Sequence, residues 1–108
     1  MVEELSPREV AQRLRTRPPA ILLLDVREPD ERAFARIEPS LHVPMSDVPR
    51  HLGRLPRDRT IVVYCHHGSR SQLVAGYLET MGFESIANLT GGIDAWSAEV
   101  DPAVARYQ

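Results

Sequence analysis

The chain holds one cysteine, Cys65, inside the stretch "TIVVYCHHGSRSQLVAGYLETMGF", Thr60 to Phe83. An apolar run precedes it and a helix-like pattern follows. His66, His67, Gly68, Ser69, Arg70 and Ser71 crowd directly behind it. Three roles fit a cysteine: packing residue, metal ligand or nucleophile. A lone cysteine commonly behaves as a small buried hydrophobe. Its position at the end of the apolar run, beside "HHGSRS", favours a reactive thiol. Metal binding has less support. Neighbouring residues on a tight loop seldom converge on one ion, and structural zinc sites use wider spacing with a distant second pair. His42 and His51 supply no such spacing, so no metal site is expected. A cysteine protease needs a distant orienting His and Asn or Asp, and no pattern points to one.

The elements that must position this loop can be read from periodicity. "SPRE" at Ser6–Glu9 predicts a capping box, with Ser6 at N-cap, Pro7 at N1 and Glu9 at N3. A helix over Pro7–Leu14 then buries Val10 and Leu14, and "TRPPA" ends it. "ILLLDV", Ile21–Val26, is a continuous apolar run suited to a strand covered on both faces. "PDERAF" fits a short helix and "LHV", Leu41–Val43, a weak strand. Ser46 is placed to cap a short helix across "DVPRHL", with Pro49 in its first turn. "TIVVYC" is a second buried strand, rich in β-branched residues. From Ser71 the period becomes helical, with Leu73, Val74, Tyr77, Leu78 and Met81 on one expected face and Gly82 as C′ residue. "SIANL" reads as a strand, "TGG" as a turn and "IDAW" as a brief helix. Trp96 is expected to pack in the core. Gly91 and Gly92 lack the spacing of a dinucleotide loop.

Strands alternating with helices predict an α/β domain with a mostly parallel sheet. Cys65 then lies at the carboxyl end of a buried strand and just ahead of a helix N-terminus, the edge where open sheets gather ligands. Backbone N–H groups and the helix dipole there favour an anion, and a thiolate is one. Gly68 allows a tight turn that points successive N–H groups inward. Ser69 or Ser71 can cap the helix, and Arg70 adds positive potential. His66 or His67, when protonated, would further favour the thiolate.

The chain of 108 residues suits one domain, with 98–108 as a tail of unassigned structure. A single cysteine forms no internal disulfide. The charged start "MVEELSPREV" shows no signal-peptide pattern, and "AILLL" is the longest aliphatic block, so the expected location is cytoplasmic, away from membranes. Net charge is −2 and basic residues do not interleave with aromatics, which argues against nucleic-acid binding. Every side-chain cation other than histidine is arginine, which excludes lysine-based covalent chemistry.

The run "YCHHGSRSQLVAGYLETMGFESIANLTGGIDAW" resembles the rhodanese family of sulfurtransferases. Cys65, Gly68, Arg70, Ser71, Gly82, Phe83, Leu89, Gly91, Gly92, Ala95 and Trp96 follow that family's order. "LLLDVREPDE" is similar to its N-terminal signature, with Asp25, Arg27, Glu28 and Pro29 in place. The motif-bearing region spans 21–97. The stretch "ARIEPSLHVP", Ala35–Pro44, departs from the family's Gly-His-Ile-Pro-Gly-Ala segment. The resemblance implies a five-stranded sheet with helices on both faces and no cofactor. It also implies a catalytic Cys65 that takes sulfur from thiosulfate or a persulfide and passes it to a thiol or to cyanide. A thioredoxin-like protein is a further candidate acceptor. Backbone N–H groups of His66, His67, Gly68, Ser69, Arg70 and Ser71 would hold the transferred sulfur. Asp25 and Arg27 would support the scaffold, and Arg70 would bind the donor or brace the loop. A monomer is the expected state.

Two other readings stay open. A related fold carries phosphatases and arsenate reductases, whose loops place five residues between Cys and Arg. Here four lie between Cys65 and Arg70. Other rhodanese-like domains act as binding or regulatory modules, commonly without the cysteine that this chain retains.

Overall fold

A computed structural model describes residues 2–108. Five strands form one sheet in the order β1-β5-β4-β2-β3, and every neighbouring pair is parallel. The strands are β1 Glu3–Leu5, β2 Ile21–Asp25, β3 Leu41–His42, β4 Thr60–Tyr64 and β5 Ile86–Leu89. Four α-helices connect them: α1 Pro7–Leu14, α2 Pro29–Phe34, α3 Ser69–Thr80 and α4 Gly92–Glu99. A 3-10 helical segment spans Met45–Arg54 and is broken by non-helical angles at His51.

The central strands are apolar on both faces, and their alternation divides the core. Ile61, Val63 and Cys65 face α3 and the 3-10 segment, with Val74, Ala75, Leu78 and Val48. Val62 and Tyr64 face the other side, with Val10, Ile93 and Trp96 from α1 and α4. The period of two along β4 therefore sends Tyr64 and Cys65 into opposite layers at the same strand end.

The capping box at Ser6 is formed as the sequence predicts: Glu9 N–H donates to Ser6 Oγ, and Ser6 N–H donates to the Glu9 carboxylate. Four expectations change. β1 carries no strand signal, because it is short and begins with two glutamates; at the sheet edge only Leu5 is buried. Ser46 caps nothing: Pro44 occupies the N-cap of the 3-10 segment, without a side-chain cap. Neither Ser69 nor Ser71 caps α3. Its N-cap is Gly68 at φ 110°, a left-handed conformation open to glycine, and Ser71 turns inward. The buried face of α3 is also rotated from the expected one. Ser71, Val74, Ala75 and Leu78 meet the sheet, while Leu73 and Met81 are exposed. Small residues let the helix sit close to β4 and β5, and counting only large apolar residues misses that stripe.

Candidate functional site

The carboxyl ends of β2, β4 and β5 bring the site together. Cys65 follows β4 and is fully buried. Its Sγ accepts hydrogen bonds from Gly68 N–H at 3.1 Å and from Ser71 N–H at 3.3 Å. Ser71 Oγ also lies 3.3 Å from the sulfur. The loop thus curls back on Sγ, as the glycine conformation and the helix start allow. Donors aimed at a sulfur favour its negative form.

α4 closes the loop from the side. Ile93 N–H donates to Cys65 O at 2.9 Å and Asp94 N–H to His66 O at 3.1 Å. The approach is so close that a Cβ on Gly92 would lie 2.4 Å from His66 O and 2.5 Å from Cys65 O. The "TGG" turn therefore seats the cysteine loop against an α4 terminus.

The loop residues separate into an inner and an outer set. Gly68 and Ser71 are buried at the sulfur, while Ser69 is exposed and has no hydrogen bond to it. His67 is exposed. His66 is half-buried between the His67 ring, 3.8 Å away, and the Tyr107 ring at 3.9 Å. Burial, and then the neighbouring His67, push the His66 imidazole below its ordinary pKa, which disfavours its cationic form. His66, His67 and Asp94 bring ligand atoms within 4.8 Å of one another. Arg106 already holds both Asp94 oxygens at 3.0 Å. The carboxylate that an ion would need is therefore already paired with a guanidinium.

Arg70 forms a two-pronged ion pair with Glu31 of α2, at 2.7 and 2.9 Å. Glu31 also accepts from Tyr107 Oη at 2.8 Å. The Arg70 guanidinium holds the Glu31 carboxyl down at about 2, and Glu31 in turn raises Arg70. Arg70 therefore ties the loop to α2.

Asp25 and Arg27 lie fully buried in the opposite layer. Arg27 Nε and Nη2 donate to the two Asp25 oxygens at 2.9 and 2.8 Å. Its other N–H groups reach Ala35 O, Glu31 O and Tyr107 Oη. Arg32 and Tyr64 Oη each donate to Asp25 Oδ2 at 3.1 Å. Burial raises the Asp25 carboxyl, but the Arg27 side chain and backbone outweigh it, and the net shift is downward. Both residues spend their hydrogen-bonding capacity on this scaffold. His42, in the stretch that departs from the family pattern, holds Arg27 O at 2.8 Å.

Asn88, Glu31 and Tyr107 were not among the residues singled out from sequence. Asn88 had a signal, since it is the one side-chain amide within the apolar strand "IANL". Glu31 sits inside "DVREPDE". Tyr107, in the C-terminal tail, had only its aromatic type to mark it.

Fold and site together define a single parallel α/β domain with a cysteine-centred loop at the carboxyl edge of the sheet. The rhodanese-like domain model matches residues 6–99, and the chain belongs to that family. A protein of Allochromatium vinosum named sulfurtransferase is 38% identical over 105 residues, covering 97% of each chain. Thiosulfate sulfurtransferase GlpE of Tolumonas auensis is 30% identical over 78 residues, covering 72% of this chain and 74% of its own. Among solved structures, a rhodanese-related protein of Thermoplasma volcanium superposes with a TM-score of 0.83 at 30% identity, over 97% of this chain and 99% of its own. Among the described residues, no helix is long and apolar enough to cross a membrane.

Proposed function

We propose that the chain is a sulfurtransferase that carries sulfane sulfur on Cys65. The observation that carries this reading is the pair of N–H donors, from Gly68 and Ser71, aimed at Cys65 Sγ within an intact rhodanese loop. In the first step the Cys65 thiolate attacks the outer sulfur of thiosulfate or a persulfide. The S–S bond of the donor breaks, and sulfite or a thiolate leaves with the bonding electron pair. A Cys65 persulfide anion remains. In the second step a cyanide ion or thiolate attacks its terminal sulfur, and the Cys65 thiolate is regenerated. Splitting transfer into two displacements is covalent catalysis. Fixed N–H dipoles stabilise the anionic sulfur without reorganising. Because Cys65 is buried, the loop rim must admit the donor. Arg70 acts mainly as a brace, since both of its terminal nitrogens are engaged by Glu31.

Initial rates with thiosulfate and cyanide test this reading. Double-reciprocal plots at several cyanide concentrations are expected to be parallel, and Cys65→Ser to be inactive. Intersecting lines, or turnover of an aryl phosphate with none of thiosulfate or a persulfide, would overturn it. The remaining alternative, a partner-binding module, would be favoured by inactivity towards both thiosulfate and glutathione persulfide. A cytoplasmic, monomeric protein is part of the proposal, with sedimentation as the check on its oligomeric state.

A further inference from the structure

We propose that Asn88 is a positioning residue for Cys65: its Oδ1 accepts the hydrogen bond of the Ser71 hydroxyl, turns Ser71 into an acceptor facing the sulfur, and so restrains ionisation of the thiol. The inference rests on Cys65 being the working thiol of the sulfur-transfer reading.

Ser71 Oγ has one proton to donate. Three acceptors surround it: Asn88 Oδ1 at 2.5 Å, Gly68 O at 3.1 Å and Cys65 Sγ at 3.3 Å. The shortest contact takes the proton. A lone pair of Ser71 Oγ then faces Sγ and accepts from the S–H, which stabilises the neutral thiol. This opposes the Gly68 and Ser71 backbone donors, which favour the thiolate. The sulfur therefore sits between two donors for its anion and one acceptor for its acid.

The orientation of the Asn88 amide follows from its other partners. Asn88 Nδ2 faces Glu4 Oε1 and Oε2 at 3.2 and 3.3 Å, and Gly68 O at 3.4 Å. All are acceptors, so turning the amide over would set oxygen against oxygen. Glu4 lies directly across from Asn88 in the β1–β5 pairing. Thr90 Oγ1 and Gln72 Nε2 hold the Glu4 carboxylate at 2.8 and 3.1 Å. The path from β1 to the sulfur is thus Glu4, Asn88, Ser71, Cys65, with each polar group satisfied. An amide buried in an apolar strand is costly without such partners.

The charged or titratable groups on the elements packed about the cysteine loop are Arg70 of α3 with its Glu31 partner on α2, His66 and His67 of the loop, Asp94 of α4, Tyr107 of the tail and Glu4 on β1; the Asp25–Arg27 pair lies in the opposite layer. Replacing neutral Asn88 changes none of these charges but also removes its contacts to Glu4 and Gly68 O, so the comparison in a Ser71→Ala background is what isolates the hydroxyl.

The test follows thiolate absorbance in the ultraviolet across pH, on the full chain, with Cys65→Ser as the blank. Wild type, Asn88→Val, Ser71→Ala and the double variant are compared. Asn88→Val is expected to lower the midpoint by about 0.7 pH unit, the size of one ordinary hydrogen bond, because Ser71, released from Asn88, donates to the anionic sulfur in preference to the neutral Gly68 carbonyl at 3.1 Å. Ser71→Ala should lower it by less, since an acceptor is lost without gain of a donor. In the Ser71→Ala background Asn88→Val should add nothing. A midpoint unchanged or raised in Asn88→Val would overturn the proposal. So would an equal shift with and without the Ser71 hydroxyl, which marks a merely structural role. If circular dichroism shows Asn88→Val unfolded, Glu4→Gln takes its place, since it releases the amide to turn. Its shift should shrink in the Ser71→Ala background, and equal shifts in both backgrounds would overturn the proposal. The titration uses no sulfur donor, so its failure is distinct from failure of sulfur transfer.

Discussion

Tyr64 and Cys65 are neighbours in sequence, yet they open onto two polar centres of different character. Tyr64 points to the Asp25–Arg27 centre, where the guanidinium spends all of its N–H groups on Asp25, Ala35, Glu31 and Tyr107. Cys65 points into the opposite layer, where two backbone donors meet a sulfur and one hydroxyl proton is contested by three acceptors. Saturation makes the first centre a clamp. Competition makes the second one adjustable. Buried charge must be paired to be tolerated, whereas a reactive group needs capacity held in reserve. Alternation along one strand is enough to separate the two.

If the contrast holds, damage to the clamp lowers stability and damage to the loop lowers activity. Arg27→Ala is expected to have the largest effect. It leaves Asp25 buried against Arg32 and Tyr64 alone, and should cost about 3–5 kcal/mol in denaturant unfolding. An unfolding free energy near wild type would break the contrast at once. Gly92→Ala comes next. It places a Cβ against the Cys65 and His66 carbonyls at φ 63°, where an L residue is already strained. A loss of about 1–3 kcal/mol is expected, together with a fall in sulfur transfer larger than the loss of folded protein explains. Activity per folded molecule equal to wild type would place Gly92 with the clamp alone.

Tyr107→Phe should cost about 1 kcal/mol, since it removes the hydroxyl shared by Arg27 and Glu31 but keeps the stacked ring. Its turnover should stay close to wild type. A further effect appears in acid. Glu31 titrates at about 2 in the folded chain, below its ordinary value of 4.5, through Arg70 first. A carboxyl lowered by folding contributes stability above its unfolded pKa and loses it as pH falls through the folded one. Stability should therefore decline between about pH 4.5 and pH 2, and Glu31→Gln should flatten that part of the curve. An unaltered slope in Glu31→Gln would show that solvent screens the pair.

Much of the frame was legible because it rests on local signals. The Ser6 capping box, the apolar runs of β2 and β4, and a helix opening at the cysteine loop each depend on a few adjacent residues. β1 was invisible because an edge strand of three residues with one buried side chain carries no periodicity. The α3 face is hidden in sequence because Ser71 and Ala75 are buried for their small size, which a count of large apolar residues ignores. At the site, Cys65 and its loop stand together in sequence, so type and spacing expose them. Glu31 lies 39 residues from its partner Arg70 and Tyr107 lies 76 from its partner Glu31, and only the fold brings them to the rim. Asn88 lies between these cases. An amide within an apolar strand signals a buried partner, but nothing in sequence says that the partner is Ser71.

The central claim is that Cys65 carries sulfur, and intact mass measurement tests it most directly. The protein is incubated with thiosulfate, and separately with glutathione persulfide, freed of excess donor, and weighed before and after reduction, with Cys65→Ser alongside. The account predicts a gain of one sulfur atom on the wild type alone, removed by reductant and lost to cyanide as thiocyanate. An adduct that persists in Cys65→Ser, or no adduct with either donor, would contradict it.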